Sequence, residues 1–362
     1  MQIKAIMDLQ YGSTGKGLLA GRLAYDDEPD CVMTAWAPNA GHTFIDFDGR
    51  KYVHTHVANG VVSPRLTRLM LGPGSVIDPA QLRLELDQVA DQLPGVRVMI
   101  HPSAAVVHQR HRDEEKGPMT KIGSTKKGVG AAMIERIRRD PETNNSAGNE
   151  PSLREFVVTP QTFRHELRLA DRVQIEGAQG YGLSMYHGFY PYTTSRDVST
   201  WQMLADVGMP HGLIDWKKFR VIGTARTFPI RVAHRYDEQG RMVGNSGPVY
   251  DDQREISFED ISQPVELTTV TKLPRRIFTF SARQIEEAIE YNGVTHVFLN
   301  FGNYCRSAEQ LREIAGHIIN TGARLRYIGM GPAVYDVHTV YSHGWDAMND
   351  GLDFLWSKYA TR

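Results

Sequence analysis

The fold of this chain is set by its opening stretch, which reads Ile3-Lys-Ala-Ile-Met-Asp-Leu9-Gln-Tyr-Gly12-Ser-Thr-Gly15-Lys16-Gly17. The apolar run Ile3–Leu9 predicts a buried strand, and the glycines after it predict a tight turn into a helix. Such a turn presents backbone N–H groups to a phosphate, and Lys16 adds a positive charge. Gln10 replaces the first glycine of a Walker A loop and Gly17 replaces its Ser or Thr, which argues against a P-loop nucleoside monophosphate kinase.

Further short apolar segments predict more strands of the same kind, and most lack the alternation of a half-exposed strand, as expected in a parallel sheet buried on both faces. These segments are Cys31–Ala35, Arg68–Leu71, Arg97–Ile100, Val173–Ile175, Phe219–Gly223, Thr295–Asn300 and Arg324–Ile328.

Helices are predicted between these strands from their start signals. Asp78 with Pro79 begins a helix to about Leu93, Ser281 begins one to about Tyr291, and Ser307 with Gln310 forms a capping box for one ending near Gly322. We predict an α/β fold: a large, mostly parallel central sheet flanked by helices, P-loop-like, with long active-site loops. The chain is expected to form a single domain over residues 1–362, with a helical excursion at about 103–170.

Composition excludes several classes of protein. The 362 residues carry 41 Lys and Arg against 42 Asp and Glu, which disfavours a nucleic-acid binder that works through a bulk basic field. Two cysteines, Cys31 and Cys305, are too few for a disulfide framework, so we expect a reducing, cytoplasmic location. No apolar run approaches the ~20 residues that span a bilayer, and the N-terminus does not resemble a signal peptide.

Four more loops carry chemically active side chains. Asn39-Ala-Gly41-His42-Thr43 places a histidine, which titrates near neutral pH, where it can donate to a leaving oxygen. Ile122-Gly-Ser-Thr125-Lys-Lys-Gly128 suits a monophosphate, although a solvated basic turn has the same composition. Glu176-Gly-Ala-Gln179-Gly180 closes a strand with an amide that can read a base edge. Thr268-Thr-Val-Thr271-Lys-Leu273-Pro-Arg275-Arg276 suits carboxylate capture, or is simply an exposed basic loop.

Taken together and in this order, the motifs resemble those of adenylosuccinate synthetases, which carry GDEGKG, NNAGHT, GTTGRG, EGAQG followed by YPYVTSS, and a Thr/Arg-rich loop. The likeness runs from about residue 5 to Gly329-Met-Gly331-Pro332. It implies a ligase reaction in two steps. A nucleoside triphosphate phosphorylates the 6-oxygen of a 6-oxopurine nucleotide, and the amino group of aspartate then displaces that phosphate.

The resemblance also implies a role for individual residues. The catalytic group would be Ser13, Lys16, His42 and Gln179. The nucleotide substrate would be bound by Asn39, Ser124, Thr125, Arg139, Gln179 and Thr194, with Arg139 reaching across a homodimer interface. The triphosphate would be bound by Ser13, Thr14, Gly15, Lys16, Gly17, Gly41, His42, Thr43, Asn300, Gly331 and Pro332. Aspartate would be bound by Thr269, Thr271 and Arg275, and Mg²⁺ by Ser13 and the carbonyl of Gly41.

Three departures from the family pattern point to a different purine. Ser13 stands where the family has a catalytic Asp, and a short neutral hydroxyl leaves room for an exocyclic 2-amino group. Leu273 replaces an Arg that contacts the ribose hydroxyl, which favours deoxyribose. The guanine-reading segment of the family appears as Leu299-Asn300-Phe301-Gly302 without its Asp, which favours an adenine triphosphate. We therefore expect the bacteriophage branch of the family, which joins aspartate to dGMP for diaminopurine nucleotide synthesis, using ATP or dATP in the host cytoplasm.

Two other functions stay open on the sequence alone. One is the conventional reaction with IMP, GTP and aspartate. The other is a catalytically dead nucleotide-binding regulator, because the usual catalytic carboxylate is absent. The sequence does not assign a role to residues 236–262, does not distinguish Arg138 from Arg139 at the interface, and does not separate ATP from dATP. Neither a nucleic-acid nor a membrane partner is expected.

Overall fold

The computed structural model describes residues 1–116, 126–268, 272–340 and 345–359, with the side chains of 345–347 excepted. The described helices are α1 Lys16–Asp27, α2 Pro79–Gln88, α3 Gln109–Glu114, α4 Val129–Arg138, α5 Pro160–Arg168, α6 Thr200–Asp206, α7 Ala282–Asn292, α8 Ala308–Asn320 and α9 Trp345–Tyr359.

The described strands are β1 Gln2–Asp8, β2 Cys31–Thr34, β3 His42–Ile45, β4 Lys51–His54, β5 Arg68–Leu71, β6 Val76–Ile77, β7 Arg97–Ile100, β8 Ala105–Val106, β9 Arg172–Glu176, β10 Phe219–Arg226, β11 Ile230–Arg231, β12 Arg235–Tyr236, β13 Met242–Gly244, β14 Glu255–Ile256, β15 Arg276–Phe278, β16 His296–Asn300, β17 Arg324–Gly329 and β18 Val337–Thr339.

Nine of these strands form the central sheet, in the order β18-β17-β16-β10-β1-β9-β2-β5-β7. All eight predicted strands are present and pair in parallel, so the prediction of a mostly parallel sheet is confirmed. The ninth strand, β18, was not predicted and joins one edge in the antiparallel direction. This strand is only three residues long and shows no alternation of apolar and polar side chains, so the sequence contains no signal for it.

Helices cover both faces of the sheet, and each face has its own apolar core. One core packs Phe163, Met203, Ile285 and Leu311 against the sheet, which brings α5, α6, α7 and α8 to that side. The opposite core contains Leu19, Leu23 and Leu82 of α1 and α2, together with sheet residues such as Phe298. The strands are therefore apolar on both sides, which explains why their sequences read as continuous apolar runs.

The helix start signals are confirmed in the structure. The side chains of Asp78, Ser281 and Ser307 accept the backbone N–H three residues on, at 3.4, 2.9 and 3.2 Å. The predicted capping box is only half formed, because Gln310 accepts the N–H of Arg306 instead of that of Ser307. Within the described ranges, no helix is both long and apolar enough to cross a membrane.

The region predicted as a helical excursion contains α3, α4, α5 and several 3-10 turns. A small third core, which includes Val107, Val129 and Ala132, holds α4 against β6 and β8. By contrast, Phe163 of α5 belongs to the main core. The single-domain boundary over 1–362 stays a prediction.

Candidate active site

The first loop joins β1 to α1 and lies at the carboxyl edge of the parallel strands, where loops of α/β sheets usually bind ligands. Gly12, Ser13 and Gly15 all have a positive φ, of 93°, 58° and 93°. Glycine adopts this conformation freely, whereas Ser13 holds it at a strain of about 1–3 kcal/mol. Gly15 caps α1 without a side-chain hydrogen bond. The first N–H groups of α1 are therefore left to a ligand, and a helix N-terminus favours an anion.

A buried carboxylate that the sequence analysis did not single out organises this loop. Asp8, at the end of β1, is fully buried. Its Oδ1 accepts the backbone N–H groups of Gln10 at 2.8 Å and Gly12 at 3.3 Å. Its Oδ2 accepts the Thr14 hydroxyl at 2.5 Å and the Lys16 ammonium at 3.1 Å. The loop is thus folded around one negative charge, and a charged residue ending an apolar strand was the signal for it.

Lys16 connects the first loop to the segment of Gln179, which in turn contacts that of Asn39. Its Nζ also donates to the backbone carbonyl of Gln179 at 2.8 Å, and its side chain is only 6% exposed. The Gln179 amide donates to the Asn39 side chain at 3.4 Å. A Cβ on Gly180 would lie 2.5 Å from the carbonyl of Gln10, so this position admits only glycine without movement. Three loops that are distant in sequence are therefore joined through Lys16 and Gln179.

His42 lies beside this junction and differs from the sequence expectation. Its ring stacks on Trp36 with centroids 3.7 Å apart and planes 7° apart, and its Nε2 is buried with no hydrogen-bond partner among the described residues. Burial, followed by the positive charge of Lys16, lowers the pKa of His42 well below its ordinary value. The expectation of a histidine that titrates near neutral pH is wrong for this structure. The ring is neutral and can donate an N–H to a developing oxyanion without itself carrying charge.

A second charged cluster supports the first loop from the end of β10. Arg226 is fully buried, pairs with Glu266 at 2.5 Å and donates to the Ser13 carbonyl at 3.4 Å. Its guanidinium lies 3.8 Å from the centroid of the Phe301 ring. Burial alone would raise the pKa of Glu266, but the charge and hydrogen bond of Arg226, together with the Tyr304 hydroxyl and Arg275, lower it below its ordinary value. Arg275, predicted for aspartate, adds its positive charge next to Glu266. Sequence reasoning missed Arg226 and Glu266, and no motif marked them.

Several residues predicted to bind the triphosphate make contacts inside the protein. The Thr14 hydroxyl bonds Asp8 and lies 2.5 Å from the Thr224 hydroxyl, so only its backbone is left for a ligand. The Asn300 amide donates to the Thr14 carbonyl at 3.3 Å. A Cβ on Gly331 would lie 2.4 Å from an Asp336 carboxylate oxygen. These residues position the first loop and the loop after β17, and their nucleotide contacts stay predictions.

Other predicted residues lie around this centre or beyond it. Ser13, Gly41, Thr43 and Pro332 are exposed, and Thr194 is half-buried. Gly17 packs against Thr43, where a Cβ would lie 2.9 Å from the Thr43 carbonyl. Arg139 is exposed at the end of α4, and its side chain has no hydrogen bond or ion pair with the described parts of the loops above. Four predicted residues lie outside the described residues: Ser124, Thr125, Thr269 and Thr271.

The described residues contain no group of three or more His, Cys, Asp or Glu side chains that could hold a metal ion. The two oxygens predicted for Mg²⁺, those of the Ser13 side chain and the Gly41 carbonyl, are both neutral. Asp8 is the adjacent carboxylate, and Lys16 neutralises it. Mg²⁺ usually keeps several waters and binds through substrate phosphates with few protein ligands. The site therefore fits an ion that arrives with a triphosphate better than one bound by the protein alone.

Comparison with known proteins is consistent with this geometry. The sequence profile of the adenylosuccinate synthetase family matches residues 5–144 and 140–347. The chain is 44% identical to the N6-succino-2-amino-2'-deoxyadenylate synthase of Acinetobacter phage SH-Ab 15497, covering 98% of this chain and 97% of that protein. Identity to the synthase of the same name from Salmonella phage PMBT28 is 46%, covering 93% and 97%. The solved structure of the succinoaminodeoxyadenylate synthetase of cyanophage S-2L, bound to dGMP and to dATP as an energy donor, superimposes with a TM-score of 0.89 over 99% of both chains at 44% identity.

Proposed function

The chain belongs to the adenylosuccinate synthetase family, and on that premise we propose that it ligates L-aspartate to the 6-position of dGMP. The reaction consumes a nucleoside triphosphate, ATP or dATP, and gives 2-amino-2'-deoxyadenylosuccinate for diaminopurine nucleotide synthesis. The phage relatives named above carry this product in their names, and the cyanophage structure holds dGMP and dATP.

The chemistry has two steps. The 6-oxygen of the guanine ring attacks the γ-phosphoryl group while N1 loses its proton, and the bond to the leaving nucleoside diphosphate breaks. The amino nitrogen of aspartate then bonds to C6, and inorganic phosphate leaves. Positioning and electrostatic stabilisation supply most of such catalysis. Lys16 and the N–H groups at the start of α1 hold the transferring phosphoryl, and neutral His42 donates an N–H to the 6-oxygen.

The observation that carries the preference for guanine is the neutral, exposed side chain of Ser13 at the mouth of the loop. The carboxylate beneath it, Asp8, is buried and bound to Lys16, so Asp8 presents no free negative charge at the mouth of the loop. A short hydroxyl leaves room beside a 2-amino group and can orient N1–H or relay its proton to a phosphate oxygen or water. Half-buried Leu273 offers no donor to a 2'-hydroxyl, which is consistent with a deoxynucleotide.

The remaining partners follow the same scheme. Asn39, Gln179 and Thr194, with Ser124 and Thr125, bind dGMP, while Arg275, Thr269 and Thr271 take the aspartate carboxylates. The segment from Asn300 and the turn at Gly331 and Pro332 face the base of the triphosphate. Ser13 and the Gly41 carbonyl are the protein oxygens that would hold Mg²⁺, and the ion, when bound with the triphosphate, would neutralise phosphate charge.

The active unit is proposed to be a homodimer. Two apolar side chains of α4, Ile134 and Ile137, are 42% and 70% exposed beside Arg139, which is consistent with a surface covered by a second copy. Arg139 of each copy then completes the partner's nucleotide phosphate site. The buried free thiols of Cys31 and Cys305 suit the reducing cytoplasm of a host cell.

The test compares phosphate release with dGMP and with IMP, each with ATP, dATP or GTP and with or without aspartate. We expect aspartate-dependent release with dGMP and an adenine triphosphate. Ready use of IMP with GTP and none of dGMP would identify the conventional reaction. Tight dGMP binding without turnover under every triphosphate would identify a regulator.

Ser13 variants test the purine preference directly. Ser13→Ala should lower turnover sharply while dGMP affinity stays nearly unchanged, and Ser13→Asp should weaken the preference for the 2-amino purine. Ser152→Ala, on an exposed turn, is the matched control. Unchanged turnover in Ser13→Ala would end the proposed role of this hydroxyl.

A further inference from the structure

A cavity of about 950 Å³ opens at the amino ends of the strands, at the edge of the sheet opposite to the active-site loops. Lys4 of β1 lines it and precedes Asp8 by four residues, which places the cavity about 13 Å along the strand from the first loop. Its lining carries an excess of three positive charges, from five cationic side chains against two carboxylates. The cationic residues are Lys4, Arg22, Arg220, Arg324 and Arg326, and the acidic ones are Asp26 and Asp27.

Both carboxylates are already paired within the wall. Lys4 pairs with Asp27 at 2.5 Å and Arg22 with Asp26 at 2.9 Å. Arg220 bonds only backbone carbonyls in the described structure, those of Lys217 and Phe219. Arg324 has no carboxylate within 4.0 Å among the described residues, and its positive charge acts on His296. Within the described part of the wall, the charges of Arg220 and Arg324 are therefore not neutralised by a carboxylate.

His296 reports the electrostatic character of this cavity. Its half-buried ring lines the wall between Arg220 and Arg324. Burial, followed by the charges of Arg324, Arg220 and Lys4, lowers its pKa to about 4. Burial and these positive charges together keep the imidazole neutral at physiological pH, and an anion bound there would offset the charges and raise that pKa.

We propose that this cavity is a second anion site, separate from the catalytic loops, that binds a polyphosphate group, either free or as part of a nucleoside triphosphate. Guanidinium groups from β10 and β17, the strands on either side of β16, present planar forks that match phosphate oxygens. The floor contains buried Ile222, Leu325 and Tyr327, so an apolar surface lies beneath the charged rim. The volume falls in the range of about 300–1,000 Å³ that small-molecule sites occupy. This inference does not depend on which purine the active site uses.

The experiment fills the active site first, with dGMP and a non-hydrolysable ATP analogue at saturation. Tripolyphosphate and dATP are then titrated separately by calorimetry. If the analogue already fills the second site, tripolyphosphate will compete for it, so the same titration is repeated on Lys16→Ala protein without nucleotide. We expect one equivalent of tripolyphosphate to bind outside the active site. Equal binding of dATP indicates recognition of the phosphates alone, and tighter binding of dATP indicates a nucleotide site; both support the proposal.

The double variant Arg220→Ala/Arg324→Ala should lower this affinity tenfold or more. The matched control Arg83→Ala/Arg283→Ala removes two exposed charges elsewhere and should leave it unchanged. A measurement on the wild-type protein avoids any folding defect of the variants. The midpoint of the His296 titration, followed by NMR, should rise by at least one pH unit when tripolyphosphate is added; the His296→Gln variant identifies the signal. An unshifted His296 titration, or equal affinity in the two double variants, would overturn the proposal.

Discussion

The ion pair beneath the first loop gives the most informative perturbation, Asp8→Asn. The change keeps the shape of the side chain and an oxygen for the N–H groups of Gln10 and Gly12, but it removes the charge that faces Lys16. Asp8 is 0% exposed and Lys16 is 6% exposed, so water cannot replace the lost partner. The Gln179 carbonyl stays as the remaining partner of the ammonium.

The magnitude follows from two limits. Removing one member of a buried pair destabilises a protein by about 3–5 kcal/mol. Lys16 can also lose its proton, which at pH 7 costs about 4.6 kcal/mol from an ordinary Lys pKa of about 10.4. The loss of stability in Asp8→Asn should therefore lie at about 3–4.5 kcal/mol and should not exceed the upper limit.

Urea denaturation followed by circular dichroism measures this loss for Asp8→Asn, for Lys16→Met and for the double variant. The double variant removes both charges, so its loss should be smaller than the sum of the single losses by at least about 2 kcal/mol. A triphosphate should raise the midpoint of Asp8→Asn more than that of the wild type, because phosphate oxygens supply the missing charge to Lys16. A loss below about 1 kcal/mol, or additive single losses, would refute the reasoning.

Three further perturbations test other parts of the site. Burial raises the pKa of Glu176 to about 7, so its folded form favours the proton and wild-type stability falls as pH rises from about 4.5 through 7. Between pH 5 and 8 the free energy of unfolding, measured by urea titration, should therefore fall by about 2–3 kcal/mol less in Glu176→Gln than in the wild type. An equal pH dependence of stability in the two proteins would contradict this prediction. Gly17→Ala should lower the melting temperature, although Ala favours helices, because its Cβ would lie 2.9 Å from the Thr43 carbonyl. A higher melting temperature would contradict this and show that the loop of Thr43 moves to accommodate the methyl group. Glu266→Gln should destabilise the protein by about 3 kcal/mol, because Arg226 would stay buried without its counter-charge. A loss of stability below about 0.5 kcal/mol, the size expected for an exposed ion pair, would rule this out.

The strands and helix starts were predictable because their signals are local. An apolar run such as Arg68–Leu71 is typical of a strand buried on both faces of a sheet, and its observed bounds match the prediction. The bounds of Arg97–Ile100 match as well, although this strand lies at the edge of the sheet. A cap such as Ser281 depends on the N–H three residues on, which lies within the same short stretch. Parallel strands then bring their following loops to one edge, so the grouping of the motifs follows from the strand prediction.

The contacts that decide the chemistry were not predictable in this way. Lys16 meets Gln179, Arg226 meets Glu266, and Trp36 stacks on His42 only after the chain has folded. The neutrality of His42 results from burial and from a lysine on another loop, neither of which a residue type reveals.

The sequence by itself therefore determined the layered α/β architecture, the loops that meet at the sheet edge and the family to which they belong, since apolar periodicity and short motifs are written in neighbouring residues. Only the tertiary structure decided which charges are buried together, how Asp8 holds Lys16, and where the cationic cavity lies. Solvent exclusion and the distance between charges set these properties, and both depend on residues that the chain brings together from far apart.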